Sequence, residues 1–332
     1  MSISVVVPVR NEEDSIHALL DALLAQTRPP DEIVLTDGGS TDSTIAMIES
    51  FIELRDARVR LIRAGAALPG RGRNLAAAEA LCEWLAFTDA GNHPAENWLA
   101  ALVQCAENEN ADVVYGAWEP VTDTLFEECA AIAYVPPPIL IEGDWIRPPA
   151  IVSALMRREV WRAAGGFPEH LRSAEDLLFM KRVEEAGFRI ARAPRALVRW
   201  HVQPTFWRTF RRFVSYSRHN ILAGLWTRWQ AAIFRRYALL LVLSAPALWL
   251  GPRWLLAIAA LWLILLAARA VVALRRNRRA FPASPWRNAL RLLLLVPLIA
   301  TLDAAALVGT LDWLLKDKLH LSGEALGVGN GA

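Results

Sequence analysis

The first 44 residues constrain the fold more strongly than any other part of the chain. An apolar run at Ser4–Val9 predicts a short buried strand, and a helical stretch follows from about Ser15 to Gln26. A second apolar strand at Glu32–Thr36 ends in a glycine turn that leads into another helix. Strand, helix, strand and helix in this order form a βαβα unit, which predicts an α/β fold with a parallel sheet.

Polar residues follow both of these strands at the point where each strand ends. They are Arg10–Glu13 after the first strand and Asp37–Asp42 after the second. Because ligands of open parallel sheets bind beyond the carboxyl ends of the strands, the two clusters predict a pocket at this edge. Ser40 or Thr41 can cap the next helix, whose positive end favours a phosphate. An ordinary capped turn explains the second cluster as well.

Strand and helix patterns continue to alternate up to about residue 204. Further strands are predicted at Val59–Arg63, Trp84–Thr88 and Asp112–Tyr115, and helices at Asn74–Leu85, Glu159–Ala164 and Ala174–Ala186. We therefore expect one α/β domain over residues 1–204.

The segment Leu68–Asn74 is predicted to be a flexible basic loop ahead of a helix. Arg71 and Arg73, with exposed backbone N–H groups, provide the donors that a diphosphate requires. A solvated surface loop is the alternative.

Two acidic positions are also candidates. Asp89 follows a strand, and His93 lies four residues later, a pair that can bind a divalent cation. The alternative is an Asp that hydrogen-bonds its own turn. Asp176 precedes a helix and suits a general base, but Ser173 three residues earlier also predicts a capping box.

The last third of the chain has the composition of a membrane-associated segment. From Ala186 to Leu302 there is no Asp or Glu, but there are 19 Arg, and long apolar runs lie between them. This combination suits an anionic lipid surface, and the apolar runs argue against nucleic acid as a partner. The three cysteines show no metal-binding spacing. A disulfide framework is not expected, so we expect a reducing cytoplasmic setting and no signal peptide.

This last third divides into four predicted parts. A basic amphipathic region at 205–234, with a helix over Thr205–Trp229, is typical of a membrane-interface helix or, alternatively, of a domain-packing helix. Transmembrane segments are predicted within 235–315, and 316–332 forms a tail. The segments lie at about 237–250, 254–274 and 289–311.

Basic residues predict the orientation of these segments. Arg235 and Arg236 precede the first segment, and Arg275–Arg279 follows the second. The positive-inside rule then places both clusters and the N-terminal domain on the cytoplasmic side. We expect a multi-pass protein of the plasma (inner) membrane.

Residues 3 to about 200 resemble a family 2 glycosyltransferase with the GT-A fold, a Rossmann-like mixed sheet. The matching stretches are V-V-V-P-V-R-N-E-E, I-V-L-T-D-G-G-S-T-D-S-T, G-R-G-R-N, F-T-D-A-G, L-M-R-R-E-V-W-R-A-A-G-G-F and A-E-D-L-L-F-M-K-R-V-E-E-A-G-F. The resemblance implies a nucleoside-diphosphate sugar as donor.

The resemblance also implies a role for each matching position. Asp176, next to Glu175, matches the Asp of the family's E-D motif, the general base. The positions implied to bind the donor nucleotide are Val7, Pro8, Glu12, Asp37, Arg71, Asn74 and Asp89.

One position departs from the family pattern. The second Asp of the D-X-D motif, usually a metal ligand, is Gly91 here, so a requirement for Mg²⁺ or Mn²⁺ is in doubt. Asp89 and His93 remain the candidate metal ligands. The alternative is that arginines neutralise the leaving diphosphate without a metal, and the candidates are Arg73, Arg208, Arg211 and Arg212.

We therefore expect a membrane-bound, inverting and non-processive glycosyltransferase. Its acceptor is expected to be a lipid or a lipid-linked hydroxyl or phosphate, because the site is tethered to a membrane. Two alternatives stay open: a nucleotidyltransferase, and a catalytically inactive membrane subunit that binds a nucleotide sugar.

Overall fold

The computed structural model describes residues 1–141 and 143–319, which fold into two compact units. The first unit contains Met1–Val121 and Pro138–Val202, and the second contains Thr122–Pro137 and the described residues from Gln203 onward. Residues 122–137 were predicted to belong to the catalytic domain, but they pack within the second unit. Most of the predicted tail at 316–332 lies outside the described residues, from position 320 onward.

The strands alternate with helices through the first unit, as predicted. Within the described residues the strands are β1 (Ile3–Val9), β2 (Glu32–Asp37), β3 (Val59–Arg63), β4 (Trp84–Phe87), β5 (His93–Pro94), β6 (Val113–Val121), β7 (Ile139–Ile141), β8 (Asp144–Ile146), β9 (Ala154–Arg157) and β10 (Ile190–His201).

The helices of the described residues up to β10 are α1 (Ile16–Leu24), α2 (Thr44–Leu54), α3 (Pro69–Glu79), α4 (Trp98–Asn108), α5 (Leu125–Tyr134), α6 (Arg158–Ala163) and α7 (Glu175–Glu185). Those that follow are α8 (Phe206–Leu222), α9 (Trp226–Trp229), α10 (Ala231–Ser244), α11 (Ala247–Leu250), α12 (Arg253–Arg276) and α13 (Pro285–Trp313).

The main sheet of the described residues is mixed and has the strand order β3-β2-β1-β4-β9-β6-β10-β5. The strands β3, β2, β1 and β4 are parallel, whereas β9 is antiparallel to both of its neighbours. Because the four parallel strands run the same way, Val9, Asp37 and Phe87 end at one edge. The predicted Rossmann-like mixed sheet is confirmed.

Helices cover both faces of this sheet. In β1, Val5, Val7 and Val9 face one core with α1, α2 and α4, and Val6 faces the other core with α3, α6 and α7. Strands buried on both faces read as continuous apolar runs, which explains the sequence pattern at Ser4–Val9.

The predicted loop at Leu68–Asn74 is wrong, because these residues form the start of α3. The helix ends at Glu79, so the predicted helix at Asn74–Leu85 is also displaced. Pro69 occupies the first helical turn, where its fixed φ suits a helix and its missing N–H leaves no hydrogen bond unmade. Two glycines in the first turn obscured this helix in the sequence.

The first of these glycines is required by close packing. A Cβ atom on Gly70 would lie 2.3 Å from the carbonyl oxygen of Pro168. We expect Gly70→Ala to lower the free energy of unfolding by about 1–3 kcal/mol, although alanine has the higher helix propensity. Thermal unfolding measures this loss, and Arg71→Ala at the exposed next position is the control. Equal melting temperatures of the two variants would contradict the packing argument.

The capping-box alternative at Ser173 is wrong. Helix α7 begins at Glu175, and Ala174 before it adopts a left-handed φ of 67° and makes no side-chain cap. The Ser173 hydroxyl has no hydrogen-bond partner among the residues that the structure describes. The acidic pair that follows is therefore not held by a serine cap.

The last strand of the sheet escaped sequence prediction. Strand β10 pairs in parallel with β6, and a break in register lies between Ala193 and Leu197. Arg192, Arg195 and Arg199 interrupt its apolar pattern, and this explains why the segment did not read as a strand.

In the second unit the basic helix α8 packs on the apolar helix α13. The Ser217 hydroxyl donates to the carbonyl of Ala306 at 2.8 Å, and a Cβ atom on Gly309 would lie 2.3 Å from the Val214 carbonyl oxygen. The predicted helix over Thr205–Trp229 is shorter than expected, because α8 ends at Leu222 and α9 is separate.

Among the described residues, three helical segments are long and apolar enough to cross a membrane. They are Ala231–Leu250, Arg253–Arg276 and Pro285–Lys318. Each contains one of the segments predicted at 237–250, 254–274 and 289–311.

Candidate active site

Asp37 closes the turn at the carboxyl end of β2. Its carboxylate accepts hydrogen bonds from the backbone N–H groups of Gly39 at 2.9 Å and Ser40 at 3.1 Å, and the residue is almost fully buried. A Cβ atom on Gly38 would lie 2.6 Å from the Ala67 carbonyl oxygen, so the turn requires glycine there. The contact with a nucleoside base stays a prediction.

The end of β1 is held against neighbouring elements. Val7 is fully buried in the core, so it supports the sheet edge and presents no surface to a ligand. Pro8 packs under α3, where a Cβ atom on Gly72 would lie 3.2 Å from it. The Glu12 N–H donates to the Thr44 hydroxyl at 2.7 Å, which ties this edge to α2.

Asn74 of α3 links three parts of the chain. Its amide nitrogen donates to the Phe167 carbonyl and to Glu169, each at 2.9 Å, and its amide oxygen accepts from the Trp161 indole at 3.1 Å. Arg71, three residues earlier, is exposed. Asn74 is therefore engaged by contacts within the protein, whereas Arg71, the other predicted donor-binding residue, is exposed.

Arg73 is the centre of a buried charge cluster. Its Nη2 donates to the Asp89 carboxylate at 2.6 Å and its Nη1 to the Glu175 carboxylate at 2.8 Å. Only 4% of the Arg73 side chain is exposed, and the guanidinium also lies 5.4 Å from the centre of the Phe167 ring. The Arg73 guanidinium thus links α3 to the turn after β4 and to the start of α7.

Asp176 is a partly exposed member of this cluster, as is Asp89. Burial raises the pKa of its carboxyl, the positive charge of Arg73 counteracts this, and the negative charge of Asp89 adds to the rise. Its Oδ1 accepts from the Leu177 N–H at 2.8 Å, which holds the carboxylate at the start of α7. Burial also raises the pKa of Glu175, which Arg73 partly offsets. A carboxyl with a raised pKa is suited to accept a proton.

Gly91 lies beside another carboxylate. Its φ is +78°, and a Cβ atom there would lie 3.3 Å from Oε2 of Glu12. An aspartate would therefore be strained and would meet a like charge, which gives a physical reason for the glycine.

The two predicted metal ligands have other partners in the structure. Asp89 pairs with Arg73, and Nε2 of His93 lies 3.3 Å from Nε2 of His201. Burial and the His201 ring lower the pKa of His93. Within residues 1–141 and 143–319, no group of three His, Cys, Asp or Glu side chains is placed to hold a metal ion.

The arginines predicted to neutralise the leaving group lie in different units. Arg73 belongs to the cluster in the first unit, whereas Arg208, Arg211 and Arg212 lie on α8 in the second. Arg212 donates to the Tyr216 hydroxyl at 2.7 Å.

His201 and an aromatic cleft were not predicted from the sequence. The cleft has a volume of about 180 Å³ and lies along β6 and β10. Its lining residues include Trp118, Glu119, Asp144, Trp145 and Arg147. A strand prediction for Ile190–His201 would have found His201, because that strand pairs with β5, which carries His93.

Comparisons with known proteins find glycosyltransferases. Residues 4–145 match the sequence model of the family described as glycosyl transferase family 2. The chain is 28% identical over 192 residues to the poly(ribitol-phosphate) beta-N-acetylglucosaminyltransferase TarS of Staphylococcus aureus. This alignment covers 54% of this chain and 32% of TarS. The chain is also 28% identical over 191 residues to the glycosyltransferase AglE of Haloferax volcanii, which covers 56% of this chain and 62% of AglE. The chain thus spans less than two thirds of the length of either relative.

A solved structure shares the fold. The crystal structure of residues 1–349 of S. aureus TarS in complex with UDP-GlcNAc matches with a TM-score of 0.50 and 18% sequence identity, covering 93% of this chain and 92% of that one. The predicted GT-A fold is thereby confirmed. The N-terminal domain thus carries a match to family 2 glycosyltransferases over residues 4–145, and the chain is similar to named glycosyltransferases.

Proposed function

We propose that the protein transfers a sugar, with inversion at the anomeric carbon, from a nucleoside-diphosphate sugar to a hydroxyl or phosphate of a lipid-linked acceptor. One observation carries this proposal: a partly exposed carboxyl with a raised pKa, Asp176, adjoins the salt-bridged carboxylates of Asp89 and Glu175 at the active edge of a GT-A sheet.

In the proposed reaction, Asp176 acts as the general base for a hydroxyl acceptor. The acceptor O–H gives its proton to the Asp176 carboxylate while the acceptor oxygen forms a bond to the anomeric carbon. The bond from that carbon to the diphosphate oxygen breaks, and the nucleoside diphosphate leaves with the electron pair. Asp176 then releases the proton to solvent. Such a base contributes about 10²–10⁴-fold to the rate.

Arg73 supports this reaction as a positioning residue. Two carboxylates already neutralise its guanidinium, so little of its charge is available to a diphosphate. By bridging Asp89 and Glu175, Arg73 holds the start of α7, and therefore Asp176, in a fixed position at the site. The exposed Arg71 is the better placed of the two to approach the diphosphate.

The residues at the D-X-D position do not make a strong metal site. Gly91 has no ligand atom, and Asp89 is engaged by Arg73. Any Mg²⁺ or Mn²⁺ would therefore be held weakly, by Asp89 and the diphosphate of the donor.

The acceptor cleft is proposed to be the aromatic cleft along β6 and β10. Trp118 packs against Trp200 with tilted rings whose centres are 5.9 Å apart, and the Arg147 guanidinium lies 5.7 Å from the Trp118 ring. Aromatic faces with a nearby cation suit a sugar or a phosphate group. The candidate membrane helices support a multi-pass plasma-membrane protein with its catalytic domain in the cytoplasm, which meets the lipid-linked acceptor there.

A donor screen tests the proposed function. Purified membranes are incubated with UDP-, GDP- and dTDP-sugars, lipid extracts and water-soluble acceptors, with and without EDTA. UDP-sugars come first, because TarS was solved with UDP-GlcNAc. Release of nucleoside diphosphate with a lipid product supports the proposal. Release of pyrophosphate indicates a nucleotidyltransferase, and donor binding without any product indicates an inactive subunit.

The pH dependence of turnover is a further prediction. Because the base must be ionised and burial raises the pKa of Asp176, turnover is expected to fall as the pH drops through a value above the ordinary aspartate pKa of about 3.9. The rate of turnover reaches its full value above that pH. Initial rates at saturating donor, measured against pH, locate this acid limb of the pH profile, where the rate falls. A limb at or below the ordinary value would contradict the assignment of the base.

A further inference from the structure

A buried acid lies in the C-terminal half of the candidate membrane helix α13, ten residues before the helix ends at Trp313. Asp303 is only 1% exposed. Both of its carboxylate oxygens accept from Arg269 of α12, at 2.5 and 2.9 Å, and the Tyr237 hydroxyl of α10 lies 3.3 Å away. Arg236 of α10 approaches to 3.8 Å. These four residues, which we call the Asp303 cluster, join three apolar helices.

The Asp303 cluster carries one more positive charge than negative charge. Arg269 forms the two-pronged contact that neutralises Asp303, so the charge of Arg236 is the excess. At 3.8 Å its Nη2 is too far from Asp303 for a hydrogen bond, and its Nε has no hydrogen-bond partner among the described residues. An unbalanced charge is costly in an apolar medium unless an anion is near it.

The excess charge lies near the end of its helix. Arg236 is five residues after Ala231, where α10 begins, and immediately precedes the predicted apolar segment from residue 237. At 1.5 Å per residue it is about 8 Å from the helix end, near the depth of the lipid headgroups. The charge is therefore within reach of the phosphate of a lipid.

The cluster is open at its rim. The side chains of Arg236 and Arg269 keep 32% and 31% of their surface exposed. The cleft between the helices is lined by Tyr237, Trp262 and Asp303 as well, and its volume of about 10 Å³ holds no more than a water molecule. A phosphate therefore has to bind at the rim, against the two guanidinium groups, and its acyl chains would lie on the apolar helices.

We propose that the Asp303 cluster binds the phosphate of an anionic lipid, with Arg236 as the main contact. This rests on the proposed membrane placement of α10, α12 and α13. Basic clefts between membrane helices on the cytoplasmic side suit anionic headgroups, and a guanidinium matches phosphate in geometry as well as charge. The lipid supplies the negative charge that the cluster lacks.

Lipid retention by the full chain tests this proposal. The protein is reconstituted in nanodiscs of phosphatidylcholine with a minor fraction of phosphatidylglycerol, released into detergent, and analysed by native mass spectrometry. We expect the wild-type protein to retain phosphatidylglycerol, and Arg236→Gln to retain about tenfold less. Arg235→Gln, which removes the exposed neighbouring charge of the same helix, is the control and retains the lipid. Equal retention by the two variants overturns the proposal, as does wild-type protein without preference for the anionic lipid.

Two further measurements keep the result independent of folding. Arg236→Lys keeps the charge and is expected to retain the lipid. In the wild-type protein, a phosphatidylglycerol with a photoreactive headgroup is expected to crosslink to α10 or α12 near the cluster, and crosslinks confined to other helices overturn the proposal.

Competition distinguishes the two sources of lipid phosphate. If polyprenyl phosphate displaces phosphatidylglycerol, the cluster is part of acceptor capture, and if it does not, the cluster holds a bulk phospholipid. Donor turnover is measured in the same nanodiscs. Retained lipid without turnover rejects only the proposed function, and turnover without retained lipid rejects only this inference.

Discussion

Asp176→Asn is expected to lower kcat by about 10²–10⁴-fold while donor binding is preserved. Asparagine keeps the acceptor atom for the Leu177 N–H but cannot take a proton from the sugar acceptor. Single-turnover rates report the chemical step, and titration calorimetry with the nucleoside diphosphate reports binding. Glu185→Gln, at the exposed far end of the same helix, is the control and should leave both unchanged.

The same substitution separates catalysis from stability. Burial raises the pKa of Asp176, which means that its charge is held against a desolvation cost. The neutral variant is therefore expected to unfold at the same or a higher temperature than the wild-type protein. A variant that unfolds at a lower temperature would contradict this stability prediction, and a folded variant with near-normal kcat would reject Asp176 as the base.

Arg73→Gln is expected to have the largest effect on stability, about 3–5 kcal/mol. The substitution leaves Asp89 and Glu175 without the guanidinium that bridges them, and Glu175 is buried. Because the charge of Arg73 counteracts the rise in the pKa of Asp176, its removal should also move the acid limb of kcat to higher pH. Chemical denaturation and the pH profile of the variant measure the two effects.

Matched variants separate this positioning role from a general loss of charge. Arg71→Gln removes an exposed arginine two residues earlier and should change neither stability nor the pH limb. Adding Glu175→Gln to Arg73→Gln should restore part of the stability, because a pair removed together leaves fewer unpaired charges. If Arg73→Gln is as stable as Arg71→Gln and its acid limb lies at the same pH as in the wild-type protein, Arg73 does not have the positioning role.

Most of the fold could be predicted from local sequence. The apolar runs at Ser4–Val9 and Glu32–Thr36 correspond to β1 and β2. Both strands are buried on both faces, so their sequences are almost continuously apolar and easy to recognise. Strand β10 could not be found in this way, since Arg192, Arg195 and Arg199 lie three and four positions apart and break both a continuous apolar run and a strict alternation. Helix α3 was hidden because its glycines, needed for close packing against Pro168 and Pro8, look like a loop.

The chain's sequence by itself determined the resemblance to family 2 glycosyltransferases, the order of most elements, the apolar helices and the acidic residues proposed for catalysis. Only the tertiary structure decided which of these residues meet. Arg73 and Glu175 are 102 positions apart, yet they share a buried salt bridge, and Asp303 is balanced by an arginine 34 positions away. Local patterns report burial and periodicity. Charge pairing between distant segments depends on the packing that brings them together, and burial then strengthens each pairing by removing water.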